Sequence, residues 1–172
     1  LFTVNTGHAT SAWFGYAAGI EKISDALADP EVGARVRAVL VETASLIVAK
    51  HGVDAATQAA YVEKILKRFA NPYLPDTTLR VGRAPLRKLS RNDRFVSPAA
   101  QLAERGMGRD ALLEAIGAGL RFDAPDDPEA VELQSLLATA SAVEVVDTVT
   151  GLPADHPLYA DVLAVVQARQ AR

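Results

Sequence analysis

The sequence predicts an all-α domain, on three observations. No stretch of its 172 residues repeats the alternation of apolar and polar side chains that a half-buried strand needs. Apolar residues recur instead at helical spacing, as in Val32, Val36, Val39, Leu40, Ala44, Ile47 and Val48. Helix starts also punctuate the chain. Asp29-Pro30-Glu31 and Asp127-Pro128-Glu129 each supply a capping carboxylate, a first-turn proline and an acid at the positive end of the helix dipole.

Taken in order, the elements follow from the same signals. Leu1 to His8 carries two hydrogen-bonding side chains, Asn5 and His8, three residues apart in an otherwise apolar run. Thr6 or Asn5 is suited to cap a helix there, and Gly7 permits close backbone approach. On spacing alone this is a helix start with a hydrogen-bonded core histidine. From His8 to about Leu27, Ala12, Gly15, Tyr16, Gly19, Ile20 and Ile23 give small and apolar positions at helical spacing, which predicts close packing against another element. The next helix runs from Pro30 to about Lys50 and ends at His51-Gly52, where an imidazole favours the negative end of the dipole. Asp54 caps a further helix that turns Ala56, Ala60, Ile65, Leu66 and Phe69 inward and stops at Asn71-Pro72. The segment 71–98, with Pro72, Pro75, Pro85 and Pro98, is predicted to be irregular. Helices are predicted again at about 98–105, 109–121, 128–140 and 156–170, with His156 as a capping or surface residue. The Val- and Thr-rich stretch 142–150 resembles a strand in composition, but it would have no partner strand and is predicted helical.

Length allows one domain with a sizeable core, or at most two small ones. Apolar residues make up 49% and charged residues 23%, which excludes a disordered chain. Cysteine is absent, and His8, His51 and His156 have no ligand spacing, so no metal site is predicted. No apolar run nears the roughly 20 residues of a membrane span, and no secretory signal is present; a cytoplasmic location is expected. There is no Gly-x-Gly-x-x-Gly or phosphate-binding loop, so no cofactor-binding residue is assigned within the chain. Because residue 1 is not Met and the first residues read as interior, the chain is expected to be a piece of a longer one.

Charge is unevenly placed. The segment from Lys64 to Arg94 carries nine basic and two acidic residues, a net +7 within a chain of net −3. A local positive field in an acidic protein fits a small anionic ligand better than nucleic acid, which usually meets a basic domain with aromatics among the cations.

Three motifs then bring a family into view. They are Leu1-Phe2-Thr3-Val4-Asn5-Thr6-Gly7-His8, Lys64-Ile65-Leu66-Lys67-Arg68-Phe69-Ala70-Asn71-Pro72-Tyr73-Leu74, and Arg80-Val81-Gly82-Arg83-Ala84-Pro85-Leu86-Arg87-Lys88-Leu89. In this order they resemble the polyol-specific long-chain dehydrogenases, the mannitol dehydrogenase family, along the whole chain. The resemblance implies a mostly helical C-terminal substrate domain of the kind that ends 6-phosphogluconate dehydrogenase, with an NAD-binding Rossmann domain preceding it. The implied reaction is interconversion of mannitol 1-phosphate and fructose 6-phosphate.

The family's catalytic pattern is Lys, four residues, Asn, two residues, His. Asn5 and His8 match its last two members, and the Lys, the implied general base, would immediately precede Leu1. Asn5 is then the donor to the developing alkoxide and His8 the group that orients a hydroxyl. The family's Arg and Lys that contact polyol map to Arg80 and Lys88, and Arg83 and Arg87 become candidates for a substrate phosphate. Residues 1–172 alone, lacking base and cofactor domain, are expected to be inactive and to expose part of the first helix where that domain packs. Two alternatives stand beside this reading. One is a relative acting on an unphosphorylated substrate, such as a mannitol 2-dehydrogenase or a fructuronate or tagaturonate reductase. The other is a stand-alone helical binding module.

Overall fold

A computed structural model describes residues 1–172 and is helical without a strand; its one β-type contact is an isolated antiparallel bridge between Lys22 and Thr77. The chain divides into two compact units, Leu1–Gly82 and Arg83–Arg172.

The first unit holds α1 (Val4–Ala17), α2 (Ile23–Ala28), α3 (Pro30–His51), α4 (Ala55–Phe69) and α5 (Thr78–Gly82). Local signals set α3 at both ends. The Asp29 carboxylate accepts from the backbone of Glu31 and Val32, Pro30 occupies the first turn, and Gly52 takes the left-handed conformation (φ 66°) that closes the helix. Asp54 caps α4 by accepting from the Thr57 N–H at 2.8 Å. The predicted stretch from His8 to Leu27 is two helices, not one. Gly19, at φ 72°, turns the chain after α1, and the backbone then pairs with the segment leading into α5 through Ile23 N–H to Asp76 O at 3.1 Å and Thr78 N–H to Glu21 O at 2.8 Å.

The start of α1 also differs from expectation. Neither Asn5 nor Thr6 is its cap; Thr3 precedes the helix without a capping side chain, and the Thr6 hydroxyl donates back to Leu1 O at 3.3 Å. As expected, part of α1 is exposed, at Asn5 and Ala17; elsewhere it packs on α2, α3 and α5, and every residue from Ala9 to Gly15 is buried. Small residues make this possible. A Cβ at Gly7 would lie 3.1 Å from the Phe69 ring and 3.2 Å from the Leu40 methyls, and one at Gly15 would lie 2.8 Å from both Ala26 Cβ and Thr78 Cγ2. Trp13, 1% exposed, anchors the helix by donating its indole N–H to Gly82 O at 2.9 Å. Gly15→Val should therefore lower stability by about 2–3 kcal/mol through overpacking. Thermal melting reads this as a drop in Tm, and an unchanged Tm would contradict the packing described.

The second unit contains α6 (Pro85–Lys88), α7 (Val96–Glu104), α8 (Asp110–Leu120), α9 (Pro128–Thr139), α10 (Ala142–Val145), a π-helical turn (Val146–Thr150) and α11 (Tyr159–Gln170). The stretch 142–150 is helical, as its lack of a partner strand predicts. A Ser141–Glu144 capping box starts it and Gly151, at φ 63°, stops it. Fully buried Phe95, Leu102, Leu112, Ile116, Phe122, Leu133 and Val162 form the centre of this unit. His156 is a local brace ahead of α11: its Nδ1 accepts from the Leu158 N–H and its Nε2 stands 3.0 Å from Glu104 Oε1.

Candidate active site

Asn5 and His8 lie one turn apart on α1, on the side that the packing of Thr6, Gly7 and Ala9 leaves outward. Asn5 is exposed and His8 half-buried. The His8 ring stacks on Phe69 of α4, with centroids 5.0 Å apart and planes 12° from parallel. Its Nε2 stands 3.3 Å from Asp76 Oδ2, and the other oxygen of that carboxylate, Oδ1, accepts from the Arg80 guanidinium at 2.5 Å. Histidine, aspartate and arginine thus form a chain through one carboxylate. A cleft of about 110 Å³ opens beside it, lined by Val4, His8, Ile23, Arg68, Phe69, Leu74 and Asp76. An apolar wall with a few convergent polar groups suits a small polar ligand with a carbon backbone. Asn5 and His8 thus share one side of α1, and Arg80 lies in the same unit.

Arg83, Arg87 and Lys88 belong to the second unit, where they flank or form α6. Their backbone is fixed by the N-terminus of α9. Asp127, 4% exposed, caps α9 through Glu129 N–H and also accepts from Ala84 N–H at 2.8 Å. Ala84 is the one non-glycine residue at positive φ (60°), a conformation that costs about 1 kcal/mol and that the Asp127 contact helps to hold. Glu129 accepts from Arg87 N–H at 2.9 Å. The Arg83 guanidinium donates to Asp126 O at 3.0 Å, which steers the side chain while leaving it exposed with further donors. Arg87 is exposed as well.

Lys88 is different. It is 5% exposed, and its Nζ donates to Arg83 O. Burial, reinforced by the neighbouring charges of Arg94 and Arg87, brings its pKa down to about 8, against the opposing pull of Asp127 and Glu129.

Three residues escaped the sequence reading: Asp76, Asp127 and Glu129. Asp76 had a signal, since it sits four residues before Arg80 on the way into a helix. Asp127 and Glu129 were legible as a helix start but not as a brace for Arg83–Lys88, because 40 or so residues separate the partners.

This fold is that of a known class of domain. The chain belongs to the mannitol dehydrogenase C-terminal domain family, whose family model matches residues 1–166. Among curated relatives it is 63% identical over 171 residues to mannitol-1-phosphate 5-dehydrogenase of Paenarthrobacter aurescens, which covers 99% of this chain and 45% of that protein. It is 54% identical to the enzyme of the same name from Emericella nidulans, again over 99% of this chain and 44% of the relative. The chain therefore spans a little under half the length of the curated relatives it matches. Among solved structures, Pseudomonas fluorescens mannitol 2-dehydrogenase, in a ternary complex with NAD and D-mannitol, matches 98% of this chain and 36% of its own, with a TM-score of 0.66 at 15% identity. That likeness shows the fold.

Proposed function

We propose that this chain is the C-terminal, substrate-binding part of an NAD-dependent oxidoreductase that interconverts mannitol 1-phosphate and fructose 6-phosphate in the cytoplasm. The observation that carries the reading is identity of 54–63% over nearly the whole chain to relatives named mannitol-1-phosphate 5-dehydrogenase. The chain has no dinucleotide loop of its own, so the cofactor pyrophosphate falls to a preceding Rossmann domain. The open polar side of α1 suits the other end of the reaction, where a hydroxyl carbon must be met by hydrogen-bonding groups. NAD, when bound, supplies the hydride acceptor.

The protein's own groups divide the remaining work. Asn5 donates a hydrogen bond to the oxygen on which negative charge grows, and His8 binds and orients the hydroxyl. A Lys immediately ahead of Leu1 takes the hydroxyl proton. Arg80 and Lys88 hold the polyol chain, and Arg83 and Arg87 hold its phosphate, for which the planar guanidinium fork is shaped. The proposal involves no metal ion and no nucleic-acid partner.

Substrate choice tests the assignment. In the full-length protein, Arg83→Ala or Arg87→Ala should raise KM for fructose 6-phosphate roughly 10- to 100-fold, the loss of one charge-assisted contact. Activity on free fructose should change little. Equal losses on both sugars would contradict phosphate binding at these residues.

A further inference from the structure

The carboxylate of Asp76 is placed where two proposed substrate-binding side chains meet. One oxygen faces His8 Nε2 at 3.3 Å and the other accepts from Arg80 at 2.5 Å. Its backbone is held independently, because Asp76 O accepts from the Ile23 N–H at the start of α2 and the neighbouring Thr77 forms the bridge with Lys22. The side chain is 20% exposed at the edge of the cleft, and Arg68 from α4 is the other charged residue lining it. Phe69 restricts the imidazole from its face, so the ring is constrained by stacking on one side and by Asp76 at Nε2.

We infer that Asp76 is a positioning residue that fixes His8 with its proton on Nε2 and holds Arg80 beside it, so that imidazole and guanidinium are presented to substrate as one unit. The residue type follows from the two contacts. Both neighbours are donors, and a carboxylate has an acceptor for each. An asparagine of the same shape has one acceptor and one donor, so it can accept from His8 or from Arg80 but not both; with its oxygen on Arg80, its amide would donate to His8 Nε2 and favour the other tautomer. The catalytic side of this inference rests on the dehydrogenase reading above; the ring-positioning side does not.

Asp76→Asn in the full-length protein, labelled with ¹⁵N-histidine, separates the two. The His8 signals, assigned by their loss in His8→Gln, report which ring nitrogen is protonated. With the ring neutral, the wild type should show the Nε2–H form, and Asp76→Asn should show a mixture of both tautomers. Reduction of fructose 6-phosphate by NADH should lose at least about tenfold in kcat/KM, with both kcat and KM affected because His8 and Arg80 loosen together. The melting temperature should stay within a few degrees, which separates positioning from collapse of the unit. Asp76→Glu, which keeps two acceptors, should recover part of the tautomer bias. An unchanged His8 spectrum in Asp76→Asn would overturn the proposal, and so would a normal kcat/KM alongside a shifted spectrum. If the wild type reduces no ketose phosphate, the dehydrogenase reading fails while the spectra still decide what Asp76 does to His8.

Discussion

Asn5→Ala is expected to lower kcat for fructose 6-phosphate reduction by roughly 100- to 1,000-fold, the usual effect of removing one donor to a developing oxyanion. The donor acts where charge accumulates in the transition state, so KM should move little. The location of Asn5 makes the variant easy to interpret. It is exposed on α1, and alanine has the better helix propensity, so the fold should be unharmed. Steady-state kinetics beside a melting curve checks this: a large fall in kcat with an unchanged Tm is the expected pair. A kcat within a few-fold of wild type would remove Asn5 from the chemistry.

The second large effect is at Lys88. Its pKa of about 8 means that the ammonium is present at neutral pH and disappears as the pH rises through 8. If Lys88 holds the polyol as proposed, KM for fructose 6-phosphate should therefore rise above about pH 8, as its cationic donor is lost. Lys88→Arg keeps the charge at any accessible pH and should abolish that break, although its different shape raises KM throughout. Stability should move the other way. Below pH 8 both folded and unfolded chains carry the proton and the folded state bears the full cost of burying it. Between pH 8 and the ordinary lysine value near 10.5 the unfolded chain holds more protons, so this contribution to stability rises with pH. Lys88→Met removes that burial cost but also the Nζ donor to Arg83 O, so the two stability effects oppose each other at pH 7 while substrate affinity falls. A KM flat from pH 7 to 9.5 in the wild type would contradict the role of Lys88.

The elements most legible in the sequence are those closed by local chemistry. Asp29, Pro30 and Gly52 suffice to place α3, and Asp54 to start α4, because capping acts over three or four residues. α5 and α6 were predicted as irregular chain for the opposite reason. They span only five and four residues, and distant groups hold them: the Thr78 hydroxyl donates to Ile20 O at 2.7 Å, and Asp127 accepts from Ala84. The partners of α1 were also hidden, since its small residues signal close packing without saying which element closes on them. Here α5 and the Phe69 end of α4 do so within the same unit.

The candidate site divides along the same line. Asn5 and His8 were readable as a motif, and their common face follows from helical geometry. The partner that fixes His8 was not, because Asp76 is 68 residues away and its contact depends on how α2 is tied to the chain before α5. The basic run 64–94 was readable as a positive field. Its division into an Arg80 paired to Asp76, an exposed Arg83 and Arg87, and a buried Lys88 is a property of the folded chain.

The most direct test of the central claim is NADH oxidation followed at 340 nm, with fructose 6-phosphate as substrate. Two proteins are compared: the full-length gene product and residues 1–172 alone. The account predicts turnover by the full-length protein, a strong preference for fructose 6-phosphate over fructose, and none by residues 1–172. Turnover by residues 1–172 alone, or no preference for the phosphorylated sugar in the full-length protein, would contradict it.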